Sequence, residues 1–165
     1  MRVGLGGIAK GWALDAAARK LRALGHANFL LQAGGDLYAA GRRGSDPWTV
    51  RVRDPRGGRL EAIASVPVQD RAFSTSGDYE QGFEAGGRRY HHLIDPRTCA
   101  PATASRAVSV LAASAVDAEI LGKALFAAGG PEALALAARL GAEALVVTAS
   151  GELLATPGLR GALPP

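Results

Sequence analysis

The residues able to do chemistry fall in four clusters and one helical pair. Gly4-Leu5-Gly6-Gly7-Ile8-Ala9-Lys10-Gly11 opens a helical pattern. Glycines let backbone N–H groups approach a ligand closely, and a helix start offers free donors and a positive dipole end to phosphate. Lys10 adds a point charge. The spacing is not that of a P-loop, and a glycine-rich flexible segment is the competing reading. Gly34-Gly35-Asp36 reads by itself as a tight bend in a sheet. Ser74-Thr75-Ser76-Gly77-Asp78-Tyr79 could cradle phosphate or ribose with its hydroxyls, or form a hydroxyl-rich turn. Arg89-Tyr90-His91-His92-Leu93-Ile94-Asp95-Pro96-Arg97-Thr98 carries adjacent histidines. In a strand they point to opposite faces, so they form no metal pair. His92 followed by Asp95 suits general acid–base work near neutral pH, against a surface pair before an Asp-Pro turn. Glu119 and Lys123, four residues apart with the acid first, read as a surface helix pair worth a few tenths of a kcal/mol.

The elements that must position these groups follow from periodicity. Ile8 to Leu24 reads as a helix with Ile8, Trp12, Ala16, Leu21 and Leu24 near one face and Gly25 as its stop. Strands are expected at Phe29-Leu30-Leu31, Leu37–Ala40, Trp48–Arg53, Leu60–Val68, Arg71–Thr75, Arg89–Ile94 and Ser105–Ala113. Asp54–Gly58 is a turn, and Gly86-Gly87 a hairpin. Ala115–Ala128 is helical, Gly129-Gly130 closes it, and Pro131 opens a second helix to Leu140. Ala144–Thr148 and Glu152–Ala155 are expected to pair as strands. The order implies α+β: an antiparallel sheet with helices packed on one side. One domain over residues 1–157 and a frayed tail over 158–165 are expected.

Composition narrows the class. The chain has 165 residues, 48% apolar and 21% charged, enough for one domain with a real core. Its apolar runs fall far short of the roughly 20 residues of a membrane span. The net charge of +4 mildly favours an anionic ligand. Aromatics at 5% argue against a base-stacking nucleic-acid surface. The single cysteine, Cys99, excludes an internal disulfide framework and multi-cysteine metal sites. No signal-peptide pattern is read at the start, so the chain is expected to be cytoplasmic or a piece of something longer.

Taken in series, Leu5–Asp15, Gly34–Gly41, Ser74–Glu80, His92–Thr98 and the helix from Ser114 to Phe126 resemble the ApbE family of FAD:protein FMN transferases. The resemblance covers about residues 4–155 and implies a T-fold-like α+β architecture in which the family's N-terminal part is missing. It implies transfer of FMN from FAD to a threonine hydroxyl of an acceptor protein through a phosphoester, with AMP released and magnesium as the metal. The acceptor would be a protein of the cell envelope, and the family works outside the cytoplasmic membrane. Residue by residue, Lys10 matches an FAD-contacting lysine, the Gly7 carbonyl a metal-ligand position, and His92 the histidine near the reacting phosphate, with Leu93 along the flavin. Asp36, Thr75, Ser76 and Asp95 match positions that shape the pocket.

The departures shape the expectation. Gly4 stands where the family carries an FAD-contacting aspartate. Glu119 and Lys123 align with the metal-binding aspartate and threonine, and an ammonium is a poor neighbour for a bound cation. Lys123 is therefore expected to stand in for the metal's charge, or the metal site is lost. Cys99 replaces a glycine and is read as a tolerated small residue. Two other functions stay open: a non-catalytic flavin- or nucleotide-binding module, and a phosphate hydrolase using His92 and Asp95.

Overall fold

The computed structural model describes residues 4–58 and 61–163. Met1-Arg2-Val3, the expected strand start at Leu60 and the end of the expected tail lie outside the described residues. The elements run α1 (Ala9–Ala23), β1 (Phe29–Ala33), β2 (Asp36–Ala40), β3 (Trp48–Arg53), β4 (Ala62–Val68), β5 (Arg71–Gly77), β6 (Gly82–Ala85), β7 (Arg88–His91), β8 (Ile94–Asp95), β9 (Ala100–Pro101), β10 (Ser105–Ala112), α2 (Ala115–Ala128), α3 (Gly130–Arg139), β11 (Glu143–Thr148), β12 (Leu153–Ala155) and a 3-10 helix (Pro157–Ala162).

The centre is a six-stranded sheet in the order β1-β2-β5-β10-β11-β12, every pairing antiparallel. Alternation sends Val108 and Val110 of β10, with Ala144 and Val146 of β11, toward the helices, where Leu14, Ala118, Leu125, Phe126, Ala133 and Ala137 meet them. Residues of opposite parity, Phe73, Leu111, Leu145 and Val147, pack on the far face against Val52, Val66 and Val68 of the β3–β4 hairpin. The sheet is thus covered on both faces, by helices on one and a hairpin on the other.

Three local expectations are corrected. The buried side of α1 is Gly11, Leu14 and Ala18, whereas Trp12 and Leu24 are 64% and 61% exposed. The reason is a close helix crossing. A Cβ at Gly11 would lie 2.5 Å from the Ala115 carbonyl oxygen, so α2 packs on the small residues of α1 and not on its bulky ones. The expected strand Arg89–Ile94 is interrupted: β7 ends at His91 and the chain bends at His92. The expected frayed tail is docked as far as residue 163, because Leu159 buries itself in the far-face core and the Gly158 N–H donates to Glu143 Oε2 at 3.0 Å. The Gly86-Gly87 hairpin is present, with φ of 57° and 71°, values that fit a two-residue turn between β6 and β7.

Candidate functional site

Two helices cross at the site and fix each other. The N–H groups of Ala115 and Val116, at the start of α2, donate to the Asp15 carboxylate at 2.8 and 3.0 Å. In return the Gly11 N–H donates to Glu119 Oε2 at 2.8 Å. Each helix N-terminus therefore receives a carboxylate from the other, which satisfies orphan donors and complements the dipoles. In the sequence Asp15 stands out only as the last residue of the Leu5–Asp15 motif. Its spacing of four from Gly11 was the one signal that it shares the crossing face.

Glu119 is 0% exposed, so the surface-pair reading of Glu119 and Lys123 is corrected. Its Oε1 accepts from Lys10 Nζ at 2.8 Å and lies 3.4 Å from Lys123 Nζ. Lys123 Nζ also donates to the Glu119 main-chain carbonyl at 3.0 Å. Lys10 Nζ reaches Asp36 Oδ2 at 3.1 Å, and Asp36 Oδ1 accepts from Ser74 Oγ. Burial opposes the charge on both Lys10 and Glu119. The carboxylates of Glu119 and Asp36 outweigh it and raise the Lys10 pKa above the ordinary lysine value. The Lys10 ammonium, the Gly11 N–H and the Lys123 charge outweigh it for Glu119 and hold that carboxyl below the usual range.

Two cavities meet at this network. A polar cleft of about 350 Å³ is lined by Gly6, Lys10, Gly34, Gly35, Asp36, Thr75, Ser76, Gly77, Glu80, Gln81, His92 and Lys123. An adjoining, more apolar cavity of about 360 Å³ is lined by Gly6, Gly7, His92, Leu93, Ile94, Ala102, Lys123, Phe126 and Ala127. Gly6, His92 and Lys123 line both. The structure thus gathers Gly7, Lys10, Asp36, Thr75, Ser76, His92, Leu93 and Lys123 around one double cleft, with Glu119 beneath the two ammonium groups. Glu80, Gln81 and Phe126 are lining residues that sequence reasoning left without a role.

Thr75 lines the cleft without offering it a free hydroxyl, and Asp95 and His91 line neither cavity. Thr75 Oγ1 and Ser109 Oγ are 2.9 Å apart across the β5–β10 pairing, so the Thr75 hydroxyl is engaged there. Asp95 accepts the Arg97 N–H at 2.9 Å and binds its guanidinium at 3.1 and 2.9 Å. These contacts hold its carboxyl below the usual range, and it lines neither cavity. The two histidines also part ways. His91 Nε2 faces the Ala102 carbonyl at 3.0 Å and its Nδ1 accepts the Leu93 N–H at 3.2 Å. One nitrogen donates and the other accepts, so the ring is neutral, in keeping with a pKa lowered by burial. His92 is exposed, and its Nδ1 faces the Gln81 carbonyl at 3.3 Å.

The donor set does not suit the magnesium that the resemblance implied. Both Glu119 oxygens are engaged by cationic or N–H donors, and an ammonium at position 123 donates and cannot ligate. Among the described residues, no group of three or more His, Cys, Asp or Glu could hold a metal ion. A hard divalent cation asks for several free oxygens.

Fold and site together define an α+β domain with a two-part cleft above a helix crossing. The crystal structure of the ApbE protein from Thermotoga maritima superposes with a TM-score of 0.90 at 34% identity, covering 99% of this chain and 54% of that one. The apo flavinyl transferase ApbE of Pseudomonas stutzeri gives 0.82 at 32% identity, covering 98% and 51%. The FAD:protein FMN transferase of Rhodobacter capsulatus is 39% identical over 99% of this chain and 31% of that protein. That of Treponema pallidum is 35% identical over 96% and 47%. The chain therefore spans less than half the length of these two relatives. The ApbE family model matches residues 1–146, and the chain belongs to the ApbE family. No helix among the described residues is long and apolar enough to cross a membrane.

Proposed function

We propose that this site transfers FMN from FAD to a threonine hydroxyl of an acceptor protein, in the cell envelope. The observation that carries the reading is the shared wall of the two cavities: His92 and Lys123 stand where a polar cleft meets a more apolar one. In this reading FAD is the substrate. Its flavin ring lies in the cavity with Leu93, and its diphosphate lies between Lys10 and Lys123.

The chemistry follows from the side chains. Nδ1 of His92 faces a carbonyl, which can only accept, so in the neutral ring Nδ1 carries the proton and Nε2 keeps its lone pair. His92 Nε2 takes the threonine proton as the threonine oxygen attacks the FMN-side phosphorus. The new phosphorus–oxygen bond forms, the bond to the bridging oxygen breaks, and AMP leaves with that oxygen. The ammonium groups of Lys10 and Lys123 face the charge that gathers on the phosphate oxygens. Asp36 and Glu119 position the two lysines. Asp95 positions the His92 segment by holding the turn that follows it.

Mixing the chain with FAD and a protein carrying a target threonine tests the reading. The expected result is an FMN mass increment on that threonine and equimolar AMP. Release of AMP and free FMN with no increment would instead make the site a hydrolase, and FAD binding with no cleavage would make it a binding module.

A further inference from the structure

We propose that Lys123 brings to this site, as a tethered cation, the positive charge a divalent metal would bring, so that the polar cleft takes a diphosphate without metal. The identity of the anion as a diphosphate rests on the reading under Proposed function; the charge argument rests on the residues alone.

The Lys123 stem runs along Gly7, with Cδ and Cε 3.4 Å from the point a Cβ at that position would take. Its ammonium ends beside the Glu119 main-chain oxygen and Oε1, at 3.0 and 3.4 Å. The loop that precedes α1 and the buried acid of α2 therefore converge on a nitrogen. A metal placed among them would meet two ammonium groups and a carboxylate with no free oxygen. An anion meets the opposite situation. Each ammonium has three N–H donors. Lys10 has two carboxylate oxygens, one each from Glu119 and Asp36, within 3.1 Å, and Lys123 has two oxygens of Glu119 within 3.4 Å. Each keeps a donor for a ligand in the cleft that both line. The acids near that space are Asp36, already paired with Lys10, the fully buried Glu119, and Glu80, which is exposed to solvent. Buried Glu119 holds both lysine heads beside one carboxylate oxygen against their mutual repulsion, which preorganises a two-cation clamp.

Calorimetric titration with inorganic pyrophosphate, in chelator and in magnesium, tests this. The expected result is binding in chelator with a dissociation constant within about threefold of that in magnesium, and no heat or thermal shift from magnesium alone. Lys123→Met should weaken binding in chelator by roughly 10- to 100-fold, the worth of one charge-assisted contact, with an unchanged circular dichroism spectrum. Lys123→Arg, which keeps the charge, should retain most of the affinity. Binding that needs magnesium, a magnesium-induced thermal shift, no pyrophosphate binding at all, or a folded Lys123→Met that binds as tightly as the wild type would each overturn the proposal. The transfer assay in the same two buffers separates the two readings. Metal-free binding without flavin transfer leaves this proposal standing and removes the transferase. Transfer that requires magnesium keeps the transferase and removes this proposal.

Discussion

Asp15 on α1 and Glu119 on α2 cap each other's helices, Asp15 through the N–H groups of Ala115 and Val116 and Glu119 through that of Gly11. The exchange sets the crossing that brings Lys10 to Glu119. Asp15→Ala should cost about 1–2 kcal/mol, the usual worth of a lost cap, read as a lower urea midpoint with unchanged slope. Gly11→Ala places a methyl 2.5 Å from the Ala115 carbonyl oxygen and should cost about 1–3 kcal/mol through forced separation of the helices. Pyrophosphate affinity should fall in that variant too, because Lys10 moves with α1.

The same network predicts an acid-labile fold. The carboxyl of Glu119 is held below the ordinary glutamate value in the native state. Its stabilising contribution is therefore complete above about pH 4.3, the ordinary value, and is lost as pH falls through the lower native value. Lys10 is raised, so its contribution is complete below about pH 10.4 and is lost as pH rises through the native value. Unfolding free energy from the pair should be flat between these limits. Glu119→Gln should flatten the acid limb in urea titrations taken at successive pH values; an unchanged acid limb would show that other carboxylates carry it.

The two histidines should respond in opposite ways. His91→Ala removes the partners of the Leu93 N–H and the Ala102 carbonyl, and an edge contact with Phe126 at 5.6 Å between ring centroids. It should destabilise by about 1–3 kcal/mol. His92→Ala should change stability by less than about 0.5 kcal/mol, as exposed sites do, while flavin transfer falls by about 100- to 10,000-fold, the range for a lost general base. Thermal melts beside a transfer assay check both.

Cys99 carries a positive φ of 54° in the turn that its N–H closes onto the Asp95 carbonyl at 2.8 Å. An L-residue in that region is strained by roughly 1–2 kcal/mol. Cys99→Gly should therefore raise the melting temperature, while Cys99→Val should lower it, because branching at Cβ worsens the same clash. The position is thus a backbone requirement more than a matter of side-chain size.

Legibility followed the range of the interaction. Helix and strand positions, the Gly86-Gly87 hairpin and the pairing of β11 with β12 were readable, because apolar period, turn residues and helix stops act over a few neighbours in the chain. The motifs also singled out Lys10, Asp36 and His92, which the fold places around one cleft. What α1 buries was not readable. Its large apolar residues signalled one face, but the crossing selected Gly11, Leu14 and Ala18 because only small groups let α2 come that close. Nor could spacing alone show that the Thr75 hydroxyl bonds Ser109 on the far face of the sheet, or that Asp95 serves Arg97. Glu119 and Lys123 show the limit most directly. Four residues apart, they look like a solvent pair, and helical spacing is silent about what packs against the helix. Only the arrival of α1, from more than a hundred residues earlier in the chain, buries that acid, surrounds it with donors and turns a common surface pattern into the charged floor of a cleft.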